Sequence, residues 1–288
     1  MLAIYKRELK SYFTSMIGPI FIAVAVIFTG IYFMVYNLNA GYQYFSYALG
    51  STLFIYILLV PILTMRSLSE ERRSKTDQLL LTSPITVNQM ILGKYLSMVT
   101  VFAITCLIFC MCPVIVTFGG SGHLVSDYAG IFIFFVCGCV FIAIGMLISA
   151  LTESPVIAAV GTLGVLLLLY FMSSLTGYIP TTAMGSFVGC LILLVLLCLI
   201  LYFFTKNWII SGGISALGIV ACVILYLIKP DVFENLLPGV LEKLSFTTSL
   251  DTVMYTFVFD FSGLFYYLSV IFVLIFLTVQ VVQKRRWS

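Results

Sequence analysis

Charge is what this sequence has least of. Only 9% of its residues are Asp, Glu, Lys or Arg, against about a quarter in a soluble globular domain. Water is therefore not the solvent around most of the chain. Histidine is nearly absent too: the single His123 sits in the Gly/Ser-rich turn GGSGHLVSD and reads as a solvated loop residue. The interiors of the long apolar runs hold no ionisable side chain. Such a side chain is costly in a bilayer and marks ion or proton pathways, so a carrier driven by a proton or sodium gradient is disfavoured. No G-x-x-x-x-G-K-[ST] phosphate loop, paired-aspartate diphosphate motif or G-x-S-x-G elbow occurs anywhere. The chain is not expected to be an enzyme, and any ATP hydrolysis must come from another subunit. The eight cysteines all lie in apolar runs without a histidine neighbour. They read as small buried residues rather than metal ligands, and neither metal nor cofactor is expected.

Apolar sequence is what remains. Hydrophobic residues make up 62% of the chain, and the mean hydropathy is +1.19. Runs long enough to cross a bilayer as helices fall at 17–36, 45–64, 97–117, 129–151, 156–175, 183–204, 208–228 and 264–282. The expected fold is an all-α integral membrane protein. It is a polytopic helical bundle of about eight spans forming one transmembrane domain over 1–288. The first run is too long for a signal peptide and lacks a small-residue cleavage site, so it counts as a span. Before it, residues 1–16 place Leu2, Tyr5, Leu9, Tyr12, Phe13 and Met16 at steps of mostly three and four, with Lys6, Arg7 and Lys10 off that stripe. This is an amphipathic entry helix for the membrane surface; the plainer reading is a basic flank.

The positive charges test that layout. With eight spans, 12 of the 14 Lys and Arg residues fall on one side and only Lys229 and Lys243 on the other. The crowded side is cytoplasmic by the positive-inside rule. Both termini lie there, and six spans would keep the same parity. The largest segment on the far side, 229–263, is broken by Pro230, Pro238 and Gly239 and then turns apolar. It reads as short helices over the outer face.

One cytoplasmic loop, 66–94, is more than a connector: RSLSEERRSKTDQLLLTSPITVNQMILGK. It carries Glu70, Glu71, Arg72, Arg73, Lys75 and Asp77, then Leu79, Leu80 and Leu81, then Pro84. Ser74 with Asp77 matches an N-cap signature, and the new helix can run only to about Thr82, because Ser83 precedes proline. Thr86 with Gln89 is a second capping box that opens the next span. Glu71 and Lys75 would pair at i,i+4 if one helix included both. The product is a short helix held crosswise between two spans, with three leucines that must enter lipid or a partner's groove.

Four stretches together resemble the membrane subunit of ABC transporters of the ABC-2 export class, most of all the gliding-motility and nitrous-oxide-reductase-maturation permeases (GldF/NosY type). They are YKRELKSYFTSMIGPIFIAVAVIFTGIYF at the start, EERRSKTDQLLLTSPITVNQMILGKY, FIAIGMLISALTESPVIAAV, and the run from LEKLSF to the basic KRRW tail. The second resembles the family's coupling segment, E-E-x-x-x-G-T-x-E-L-L-L-T-x-P. The resemblance makes Glu70, Glu71, Arg72, Arg73, Thr76, Gln78, Leu79, Leu80, Leu81 and Pro84 the ATPase-coupling residues. The third resembles the family's G-x-x-x-S-x-L-T turn and marks Gly145, Ser149 and Glu153. Lys75 stands where the family has Gly, and Gln78 where it has Glu. The resemblance implies a plasma-membrane exporter subunit that pairs with a second permease and a separate ATP-binding subunit, amid membrane lipid and without nucleic acid. A membrane enzyme on lipid-linked substrates and a non-transporting mechanotransmission scaffold are the alternatives, and the substrate stays open.

Overall fold

The computed structural model describes residues 1–75, 86–120, 122–176, 184–187, 189, 239, 245–257 and 259–287. Among them there is helix and no strand, and six helices are long and apolar enough to cross a membrane. The chain is thus an all-α, multi-pass membrane protein. The two spans expected at 183–204 and 208–228 lie outside the described residues, apart from a few positions in the first. Two compact units divide the chain, 1–168 with 249–288 and 169–248.

The first unit begins with helix α1 (Leu2–Thr14) and α2 (Ile17–Phe33), which ends in a π-helical turn over Met34–Asn39. Then come α3 (Ser46–Thr64), the five-residue α4 (Ser69–Arg73), α5 (Val87–Phe109) and α6 (Met111–Phe118). Next are α7 (Leu124–Leu151), α8 (Pro155–Thr176), α9 (Phe246–Thr256) and α10 (Phe261–Trp287). The central helix is α7: 78% of its span window is buried, against 28%, 17% and 22% for α2, α8 and α10. Two glycines let neighbours close on it. A Cβ on Gly138 would overlap the Phe102 ring of α5, and one on Gly145 would overlap Thr64 Oγ1 of α3. Tyr56, almost fully buried, makes edge contacts with Phe21, Phe102, Phe109 and Phe134, tying α2, α3, α5 and α7 into one core. Close packing of this kind is what holds helices together where lipid removes the hydrophobic drive.

The helices run further than the apolar runs. Thus α5 takes in Lys94 and α7 takes in Asp127, both buried, at 2% and 1% exposure. Among the described residues, these two charged side chains enter the spanning helices near their ends. Asp127 Oδ1 accepts from the backbone N–H and hydroxyl of Ser46 at 3.3 and 3.4 Å, fastening the start of α3 to the start of α7. At the same end Tyr44 is stacked between His123 (4.7 Å between centroids) and Phe257 (3.7 Å). His123 is an exposed loop residue, as expected, and its ring also stacks on Tyr44. Phe257 closes the stack from a left-handed backbone, φ 59°. From α9, Met254 and Tyr255 pack against Gly50 of α3.

Candidate functional site

At the opposite end, the described residues bring together α1, the start of the 66–94 loop, the start of α5 and the end of α7. Thr64 closes α3, its hydroxyl turned back to the Val60 carbonyl. The chain then turns into α4, whose first amides need partners. Ser149, fully buried on the last turn of α7, supplies one. Its Oγ accepts from Leu68 N–H (3.2 Å) and Ser69 N–H (3.1 Å), and its hydroxyl donates to the Met65 carbonyl at 3.2 Å. Beyond it, Arg72 reaches across the turn that follows α7. It pairs with Glu153 at 2.6 Å and donates to the Leu151 carbonyl at 3.2 Å. Two stretches that the sequence marked separately, 70–73 and 145–153, are therefore one structural unit. Gly145 lets α7 lie against Thr64, Ser149 caps α4, and Glu153 holds Arg72.

The other flank of α4 carries an ion-pair network built around the buried Lys94, with Arg7 at its exposed edge. Lys94 Nζ lies 2.7 Å from Glu71 Oε1, 3.4 Å from Glu8 Oε1 and 3.0 Å from the Ser67 carbonyl. Arg7 bridges the same two carboxylates, at 2.6 Å to Glu8 and 3.2 Å to Glu71. Two cations and two anions balance, which is what a buried charge cluster requires. The bond to Glu8 and the fields of Glu8 and Glu71 hold the Arg7 guanidinium above its ordinary pKa, against its partial burial. Glu70 faces Arg66 instead. The four groups line one wall of a cleft of about 520 Å³ that also reaches Tyr12 and Ser74. Beside it, α1 is fixed to the bundle rather than only to a membrane surface. Tyr12 is buried and donates to the Leu63 carbonyl at 3.4 Å, and the Tyr5 hydroxyl meets Thr100 Oγ1 at 3.0 Å. Leu2, Phe13 and Met16 stay exposed as the apolar part of the expected stripe.

Helix α4 ends sooner than a Glu71–Lys75 pair would need. It stops at Arg73, and Lys75 adopts φ 57°. That left-handed backbone favours glycine, and it falls at the position where the resembling family has Gly. Ser74 follows α4 with helical angles, its hydroxyl donating to the carbonyls of Glu70 (2.9 Å) and Glu71 (3.2 Å); the helix expected to start from it lies outside the described residues. Thr86 does what was expected of it. From an extended backbone its Oγ1 accepts from Gln89 N–H at 3.4 Å and opens α5. Thr76, Gln78, Leu79, Leu80, Leu81 and Pro84 lie outside the described residues, as does Asp77. Arg73 is described only as the end of α4. Lys94 and Glu8 carried no sequence signal. They meet across 86 positions of chain, and only Glu8's place beside Arg7, on the polar side of α1, could have hinted at a partner.

Within the described residues no group of three or more His, Cys, Asp or Glu could hold a metal ion. Comparison with curated proteins finds no match. Against family models, residues 2–189 match ABC-2 family transporter protein, and this stretch contains every helix of the site. A match over more than half of the chain settles its class: this is a membrane permease component of an ABC-type system, and the chain belongs to the ABC-2 transporter family.

Proposed function

We propose that the chain is the membrane-spanning permease subunit of an ATP-driven ABC-2 exporter, coupled to a separate ATP-binding subunit through the 66–94 loop. One observation supports this above the others. The root of that loop is tied on one flank to α7 through Ser149 and Glu153, and on the other to α1 and α5 through Glu8 and Lys94. A force applied to the loop therefore reaches three helices through direct polar contacts rather than through a slack linker. Glu70, Glu71, Arg72 and Arg73 form the inner part of the coupling segment, and Thr76, Gln78, Leu79, Leu80, Leu81 and Pro84 its docking part. Two permeases, alike or related, would enclose the path between them. The basic end of the bundle, with both termini, faces the cytoplasm, and the membrane is the plasma membrane. The GldF/NosY type is the branch that the loop resembles, and 1–288 acts as one permease domain.

The acidic residues described at this end speak against an enzyme on lipid-linked substrates. Glu8, Glu70, Glu71 and Glu153 are each paired with Arg or Lys, which leaves no described carboxylate there poised as a general base. The test is copurification of the ATP-binding subunit with Leu80→Glu. Burying an unpaired carboxylate in a docking groove costs on the order of 2 kcal/mol, roughly 30-fold in affinity. Loss of the partner with normal membrane insertion is expected. Unchanged copurification with single Glu variants at 79, 80 and 81 would remove the loop from the docking role.

A further inference from the structure

A groove between α5 and α10 is left open by the helices that form it. It holds about 330 Å³ and is lined by Leu92, Phe272, Ile275, Phe276 and Val279, with Asn88, Gln280 and Gln283 at one end. Those three amide side chains all lie at the basic end of the bundle: Asn88 in the first turn of α5, the glutamines near the end of α10. The apolar residues continue from them toward mid-span. From Gln283 back to Phe272 is eleven residues, about 16 Å of helix, close to the roughly 15 Å hydrocarbon depth of one leaflet. Phe272 and Phe276 remain 73% and 53% exposed, and the chain runs on as the exposed Lys284 and then Arg285 and Arg286.

We infer that this groove binds one anionic phospholipid of the leaflet that the basic end faces, cytoplasmic under the function proposed above. One acyl chain lies along Phe272, Ile275, Phe276 and Val279. The headgroup sits among Asn88, Gln280 and Gln283, and its phosphate charge is drawn by Lys284. Three features separate this occupant from bulk lipid or a second copy of the chain. The polar groups cluster at headgroup depth, the apolar part has the length of one acyl chain, and the flanking charge is of one sign. A second chain packed here would need an apolar or acidic match at Lys284, where lipid phosphate needs only to approach it. Each juxtamembrane cation gains about fivefold in affinity for an anionic surface, so the flank favours phosphatidylglycerol over phosphatidylcholine.

The full chain, purified in detergent, is titrated with phosphatidylglycerol or phosphatidylcholine and followed by native mass spectrometry. Detergent has no inside or outside, so the result does not depend on the proposed topology, and a failure of either can be told from the other. Expected are one retained phosphatidylglycerol per chain and at least about fivefold weaker retention of phosphatidylcholine. Ile275→Trp, which fills the groove, abolishes the retained lipid. Lys284→Glu, which leaves the apolar lining intact, removes the preference for phosphatidylglycerol. Equal retention of the two lipids overturns the proposal, as does lipid binding untouched by both variants. Loss of dimer with unchanged lipid in Ile275→Trp assigns the groove to a second copy and overturns it as well.

Discussion

Lys94 of α5 lies 2.7 Å from Glu71 of α4, and the lysine is almost wholly withdrawn from water. A lysine so placed has to be neutralised on the spot. Glu71 and Glu8 do that, and Arg7 in turn balances them. The network makes the entry helix, the start of the 66–94 loop and the third described span into one piece.

That network predicts strong coupling between its members. Lys94→Met takes the buried cation away from Glu71 and Glu8, and breaking such a pair costs on the order of 3 kcal/mol. Adding Glu71→Gln should restore part of the loss, with a coupling above about 1 kcal/mol in a double-mutant cycle. Thermal unfolding of the purified variants measures this. Simple additivity would mean that the two side chains do not sense each other.

Ser149 offers its hydroxyl oxygen to both the Leu68 and Ser69 amides. Ser149→Ala removes that acceptor and leaves two buried N–H groups to find others, at about 1–3 kcal/mol. The loss should be local. Hydrogen exchange at residues 68–72 should quicken while exchange in the middle of α7 holds. Unchanged protection at 68–72 would show that α4 does not depend on this cap.

Asp251 on α9 gives a pH dependence with a definite sign. Burial pushes its carboxyl from an ordinary 3.8 up to about 6. The folded state therefore prefers the protonated form. The stability this contributes is fully present below about pH 4 and is lost as pH rises through about 6. Asp251→Asn keeps the shape and removes the charge. It should raise the melting temperature at about pH 7.5, leave it unchanged near pH 4, and flatten the profile between. A variant that lowers stability at the higher pH would show the ionised carboxylate to be bound by a partner.

The six described spans were legible because about 20 apolar residues in a row have one solution in a bilayer. Ser149 and Glu153 were legible through a resemblance, without their partners. What the chain did not disclose is pairing at long range. Lys94 looked like the polar end of a loop, and Glu8 like one more surface residue of an amphipathic helix. Neither has a local pattern, because each is satisfied by a helix far away in sequence. Asp127 sat in a polar turn by composition, yet the start of α3 draws it into the bundle to bond Ser46. Ser74 does one thing that its spacing to an aspartate did not announce: its hydroxyl turns back to the Glu70 carbonyl at the end of α4.

The most direct test of the proposed coupling role is ATP turnover by the purified chain, alone and then reconstituted in vesicles with its ATP-binding subunit. No turnover is expected from the chain alone. Turnover by the complex should differ from that of the ATP-binding subunit by itself, and should fall back to that level with Leu80→Glu. Hydrolysis by the isolated chain, or a partner whose turnover is the same with and without it, would contradict a permease coupled through its 66–94 loop.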